Sequence, residues 1–203
     1  MELSVSILGI KDEKEKIEQI EQTKVDYLHL DVMDGHFVSN ITNMMGIYSK
    51  PLDVHLMVCD VMKYVNIYEK LKPTYITFHI ESVDNPIEII NYLHKKNIKA
   101  SISICPETNV DTLIPYLDVV DMVLVMSVHP GRGGQGFMME VLPKIESLYN
   151  MRKKNNYHYK IEVDGGVNKD TIKYLDKVDI AVVGSYITSA SDYNSRILTL
   201  ENE

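Results

Sequence analysis

Val25-Asp-Tyr-Leu-His-Leu-Asp31, continued by Val32-Met-Asp-Gly35, is the stretch on which the reading of the fold turns. It is a short apolar run whose far end gathers an imidazole, His29, and a carboxylate, Asp31, just ahead of a glycine. Residues two apart on a β-strand share a face, so these two groups aim at one point. Such a point can hold a divalent metal; the donor pair suits Zn, Fe, Mn or Co, and the carboxylate can also move a proton. Alone, such a pair is more often a satisfied polar couple inside a core than a ligand set.

Working outward, seven more runs of this kind occupy residues 3–8, 52–57, 75–79, 100–104, 122–128, 160–163 and 180–183. Between them lie Glu- and Lys-rich stretches of helical character, among them 12–22, 61–71, 86–96 and 141–154, with a last amphipathic stretch at 193–200. Strand and helix therefore alternate, which implies right-handed crossovers and a parallel sheet covered on both faces. Eight units favour a closed TIM (β/α)8 barrel of the α/β class over an open sheet. Residues 42–50 are expected to form a loop with a brief helix. No linker divides the chain, so residues 1–203 are read as a single domain.

Composition limits the partners. A formal charge of −8 on 203 residues argues against nucleic acid, and an anionic ligand needs local donors. The apolar runs are too short to span a bilayer, and the opening Met-Glu-Leu-Ser lacks the basic region of a signal peptide, so no membrane association and a cytoplasmic location are expected. Cys59 and Cys105 lack CxxC spacing and are expected to be semi-buried thiols.

In a barrel, function collects at the C-terminal strand ends. Here these ends carry His29 and Asp31, then His55, then His79 and Glu81, and finally Asp164. Two His and two Asp from three strands can surround one ion, whereas His79 and Glu81 read as a supporting pair. The other feature is glycine: 131–136 after the sixth run, Gly165-Gly166 after the seventh and Gly184-Ser185 after the eighth. Glycine lets backbone N–H groups approach an anion, and the last loops of such barrels hold phosphate. No GxxxxGK[ST] is present, which favours a small sugar phosphate over a nucleotide.

These segments resemble the ribulose-phosphate 3-epimerase family: SIL at 6–8, HLDVMDGHFVSN at 29–40, DVHLMV at 53–58, FHIE at 78–81, MSVHPGRGGQGF at 126–137 and IEVDGGV at 161–167, with Gly184-Ser185 near the end. The resemblance implies a TIM barrel that inverts C3 to interconvert D-ribulose 5-phosphate and D-xylulose 5-phosphate with one divalent metal ion. It implies His29, Asp31, His55 and Asp164 as metal ligands and Asp31 and Asp164 as the acid/base pair. Ser6 and His55 would contact the sugar. Gly131, Gly133, Gly134, Gly165, Gly166, Gly184 and Ser185 would hold the phosphate, and Met33, Met57 and Met126 would lie beside the reacting carbons. Family members form symmetric oligomers, so a homo-oligomer is expected.

The chain departs from the family pattern at Arg132, where Phe is usual, at Ser39, where Pro is usual, and at Lys11, whose expected acidic residue follows as Asp12. Arg132 beside a phosphate loop is read either as a substrate contact or as a solvent-facing tip. Two rival readings are an epimerase for a six-carbon ketose such as D-allulose 6-phosphate and a non-catalytic sugar-phosphate-binding barrel. Related decarboxylases and aldolases use an Asp-x-Lys-x-x-Asp pattern, and no Lys lies between Asp31 and Lys50.

Overall fold

A computed structural model describes residues 1–201. Eight parallel strands, β1 (Glu2–Ser6), β2 (Tyr27–Met33), β3 (Leu52–Met57), β4 (Tyr75–His79), β5 (Lys99–Ile104), β6 (Met122–Met126), β7 (Lys160–Asp164) and β8 (Ile180–Val183), close in sequence order into a barrel. Helices α1 (Lys14–Glu21), α2 (Val61–Tyr68), α3 (Pro86–Lys95), α4 (Leu142–Asn155), α5 (Ser185–Thr188) and α6 (Tyr193–Glu201) pack outside. The architecture is the expected TIM barrel. Asn202 and Glu203, included in the expected domain, lie outside the described residues.

The crossovers are less regular than the sequence suggests. After β5 and β7 the chain makes 3-10 turns, Val110–Tyr116 and Ile172–Tyr174, the first of them containing Pro115, which has no N–H for a helical ladder. The brief helix expected within 42–50 does not form. Its backbone groups are taken by tertiary partners instead: Met44 N–H donates to the Tyr68 hydroxyl and Met44 C=O accepts from the Tyr48 hydroxyl. Thr42 N–H donates to Met33 C=O, which ties this segment to the end of β2.

Alternation along each strand divides the core in two. Outward residues such as Leu28, Leu30, Val54, Leu56, Phe78 and Val163 join the helices in one continuous apolar layer. Inward residues stack in layers drawn from alternate strands. Tyr27, Tyr75, Met122 and Ile180, from the even strands, form an apolar floor. Directly above it, the odd strands contribute Ser4, Asp53, Ser101 and Glu162, each paired in register with one floor residue and all buried. A polar layer at this depth departs from the branched apolar filling usual in such barrels. It lies just beneath the strand ends that carry the candidate site.

Candidate active site

Strand pairing brings the four residues singled out in the sequence together. His29 and Asp31 come from β2, His55 from β3 and Asp164 from the end of β7, and one ligating atom of each lies within 4.8 Å of the others. His29 Nε2 is 3.5 Å from Asp31 Oδ1 and 3.9 Å from Asp164 Oδ2. His55 Nδ1 stands 3.5 Å from Asp31 Oδ1 and 3.8 Å from Asp164 Oδ2. Both nitrogens are buried without a hydrogen-bond partner, which is costly unless something else satisfies them. Two orphaned imidazole nitrogens facing two carboxylates fit a divalent cation.

The layer below sets the first imidazole. Asp53 Oδ2 is 2.7 Å from His29 Nδ1 and accepts from Ser4 Oγ at 2.9 Å, so His29 presents Nε2 to the site. Burial opposes a charge on His29, but Asp53 and Asp31 outweigh it and hold its pKa well above the usual value. Glu162, fully buried near Asp53, is pushed far the other way from an ordinary carboxylate, by burial first and then by the Asp53 charge. Glu162 therefore favours its protonated form, which limits the negative charge beneath His29.

Asp31 and Asp164 are driven apart. Burial opposes ionisation of Asp31, yet His29 and His55 overcome it and keep its pKa well below the carboxylate range. The hydroxyl of Ser6 donates to Asp31 Oδ2 at 2.6 Å. Burial pushes Asp164 up to about 7, with Asp31 and Asp53 adding to the rise and His29 opposing it. Asp31 is thus favoured in its ionised form while Asp164 is poised to take or release a proton near neutral pH, the kind of contrast required of an acid and a base working together.

Both open into a cleft at the C-terminal mouth of the barrel. Its walls include Ser6, the thioethers of Met33, Met57 and Met126, the loop 131–134 with Arg132, and Gly165, Gly166, Gly184 and Ser185. His29 and His55 do not line it; they are wholly buried below the carboxylates, so His55 has no free surface for the expected sugar contact. Gly165 and Gly166 adopt φ of 122° and 65°, and a Cβ on them would come within 2.5 Å of Val128 and 2.3 Å of the Phe137 nitrogen. Only glycine fits there. The β2 and β6 loops meet over the cleft, with Asn40 Nδ2 donating to Gly131 C=O at 2.7 Å.

Several contributors were not singled out from the sequence. Asp34 accepts from the N–H groups of His36, Phe37 and Cys59 and so shapes the loop after β2. The hydroxyl of Thr42 donates to Asp31 C=O and accepts from Met33 N–H, which fixes the strand end. For Asp53 and Glu162 a signal existed: each stands two residues before a singled-out His or Asp, the same i, i+2 spacing that marks His29 and Asp31. One expectation needs correcting at the cysteines. Cys59 is exposed, because it sits in the turn between β3 and α2, and only Cys105 is partly buried.

A barrel that sets two carboxyls with opposed tendencies to ionise beside two unsatisfied imidazoles can hold a cation and move a proton next to it. The sequence profile of the ribulose-phosphate 3 epimerase family matches residues 2–188. A ribulose-phosphate 3-epimerase of Methanocaldococcus jannaschii is 39% identical over 196 residues, covering 92% of this chain and 83% of that protein. One from Helicobacter pylori strain J99 is 35% identical over 209 residues, covering 98% and 94%. Among solved structures, N-(5'-phosphoribosyl)anthranilate isomerase from Pyrococcus furiosus superposes with a TM-score of 0.65 at 16% identity, covering 100% of this chain and 97% of that one. That likeness concerns the fold alone. The chain belongs to the ribulose-phosphate 3-epimerase family and is an epimerase of the isomerase class.

Proposed function

We propose that the protein interconverts D-ribulose 5-phosphate and D-xylulose 5-phosphate, with Asp31 and Asp164 inverting C3 from opposite faces of the substrate. The observation that carries the residue assignment is that both carboxyls open into one cleft in unlike surroundings, Asp31 between two imidazoles and Asp164 buried beside other carboxylates. The ionised carboxylate removes the C3 proton, and the electron pair moves onto the C2 carbonyl to give an enediolate. The other carboxyl then delivers its proton to C3 from the far side, which leaves the pair in exchanged protonation states for the reverse reaction. His29, Asp31, His55 and Asp164 would hold a divalent ion, which when bound would supply Lewis-acid stabilisation of negative charge on the substrate. Zn, Fe, Mn and Co all suit this donor set.

The remaining wall residues bind and orient. Met33, Met57 and Met126 give the reacting carbons a polarisable surface that excludes water without offering a competing base. The backbone N–H groups of 131–134, Gly165, Gly166, Gly184 and Ser185 hold the phosphate, and Arg132 at the rim adds a guanidinium to an otherwise acidic molecule. Ser6 keeps Asp31 in place through its short hydrogen bond and meets the sugar from the same wall.

We further infer that the protein works in the cytoplasm on a freely diffusing substrate and assembles with copies of itself. No helix among the described residues is long and apolar enough to cross a membrane, and Ile41, Met45 and Ile47 form an exposed apolar surface on the segment after β2. Comparing kcat/KM for D-ribulose 5-phosphate and D-allulose 6-phosphate tests the substrate. The five-carbon sugar is expected to be preferred, and a preference for the six-carbon sugar would overturn the choice.

A further inference from the structure

One buried contact next to the site has a direction that its own geometry leaves open. His55 Nε2 and His79 Nε2 lie 2.8 Å apart, with ring centroids 5.0 Å apart and the ring planes inclined by 28°, so the two nitrogens meet edge to edge. Between two neutral imidazoles, one nitrogen must donate and the other accept. If His55 accepts, its own proton sits on Nδ1, facing Asp31 and Asp164. If His55 donates, Nδ1 is a lone pair, free to bind a cation. The choice between the two sets whether His55 can be a ligand at all.

The far side of His79 makes that choice. His79 Nδ1 is 3.2 Å from Glu81 Oε2. Glu81 itself accepts from Cys105 N–H at 2.8 Å and from the Thr108 hydroxyl. Burial opposes its charge, but His79, Thr108 and the Cys105 N–H hold its pKa down to about 2, so Glu81 is a carboxylate and can only accept. His79 is wholly buried and its other ring nitrogen faces only His55, so with its N–H given to Glu81 the His79 Nε2 is left as an acceptor. Cys105 Sγ lies 3.6 Å from the same His79 nitrogen, but its S–H is a weak donor and yields to the Glu81 carboxylate as the partner of that nitrogen. The loop that steadies Glu81 is anchored in turn: Lys144 Nζ donates to the carbonyls of Cys105, Pro106 and Thr108.

We infer that His79 is a positioning residue which, with its proton held on Nδ1 by Glu81, accepts from His55 Nε2–H and so keeps the His55 Nδ1 lone pair turned to the cation. The order of donation runs from His55 to His79 to Glu81, and each step follows from the one after it. The inference rests on the cation site proposed above, and it adds that the affinity of that site is set from outside its ligands, by residues on β4 and in the β5 loop. Carboxylates and other acceptors behind a ligating imidazole raise its basicity and fix its orientation, and their loss typically weakens binding by about 10- to 100-fold.

The test uses the full chain and Zn2+ alone, with affinity measured by chelator competition and the His55 tautomer read from 15N-resolved NMR. In the wild-type protein, His55 is expected to show a protonated Nε2 and a Zn-bound Nδ1. His79→Phe removes the acceptor and is expected to lower Zn2+ affinity by about 10- to 100-fold, while His79→Gln, whose amide oxygen can accept, restores most of it. Glu81→Leu leaves His79 in place but frees its tautomer, and is expected to weaken binding as well; it serves if the Phe variant does not fold. A wild-type His55 protonated at Nδ1, or unchanged Zn2+ affinity in folded His79→Phe and Glu81→Leu proteins, would overturn the inference. Turnover measured in parallel separates the two claims. Zn2+ binding that depends on His79 without any epimerisation leaves this inference standing and removes the proposed function. Epimerisation with variant-insensitive binding does the reverse.

Discussion

Asp31 and Asp164 carry the same functional group into the same cleft and differ only in their surroundings. His29, His55 and the Ser6 hydroxyl favour charge on Asp31, whereas burial beside other carboxylates disfavours it on Asp164. Replacing either by Asn keeps the shape and removes the proton acceptor, so turnover should fall by roughly 10²- to 10⁴-fold in each variant in a steady-state assay. Substantial activity in one variant would remove that residue from the pair. The raised pKa of Asp164 also makes a statement about stability. Its protonated form is favoured on folding, so its contribution is full below about pH 4 and is lost as pH rises through about 7. A bound cation favours the ionised carboxylate and needs a neutral His29, whose own pKa is raised, and so it offsets what alkaline pH takes away. Thermal unfolding with and without Zn2+ should therefore show a larger increase in Tm at about pH 8 than at about pH 5.5, and the opposite order would contradict this account.

The loops after β6 and β7 face each other so closely that side chains are excluded. Gly165→Ala would place a methyl 2.5 Å from Val128 at a backbone angle that only glycine adopts readily, and KM for the sugar phosphate should rise by about 10-fold or more. Gly136→Ala, with open space and ordinary backbone, should leave KM nearly unchanged. Measuring the two side by side separates a demand for close approach from general loop sensitivity. The strands were legible in the sequence because an apolar run buried on both sides needs no partner to announce itself. The segment after β2 was not: Tyr48 and Tyr68 claim Met44's backbone groups, and a contact made across the fold leaves no local periodicity. The four candidate ligands His29, Asp31, His55 and Asp164 could be singled out because they stand at strand ends, and the fold brings them together. The relay through His79 could not, since the direction of a hydrogen bond between two imidazoles depends on a third residue and on the strand register.

At the scale of the whole molecule, the barrel stacks an apolar floor, a polar layer and a proton-transfer site along one axis. The polar layer is the costly part, because Asp53 and Glu162 are buried together. Their unequal protonation explains how it is tolerated, and it can be checked. Glu162→Gln mimics the neutral acid and should change stability by no more than about 1 kcal/mol in denaturant unfolding, whereas Asp53→Asn removes the charge behind His29 and should weaken Zn2+ binding by about 10-fold or more. Equal effects in the two variants would contradict the assignment. The central claim is that two carboxyls exchange protons with C3 from opposite faces, and hydrogen exchange reads it most directly. Metal-loaded protein with D-ribulose 5-phosphate in D2O, followed at C3 by NMR, should yield D-xylulose 5-phosphate carrying deuterium at C3. Asp31→Asn and Asp164→Asn should each be unable to invert C3 while still exchanging its hydrogen in one epimer. Wild-type protein that produces neither xylulose 5-phosphate nor C3 deuterium, or a variant that inverts C3 at the wild-type rate, would contradict the account.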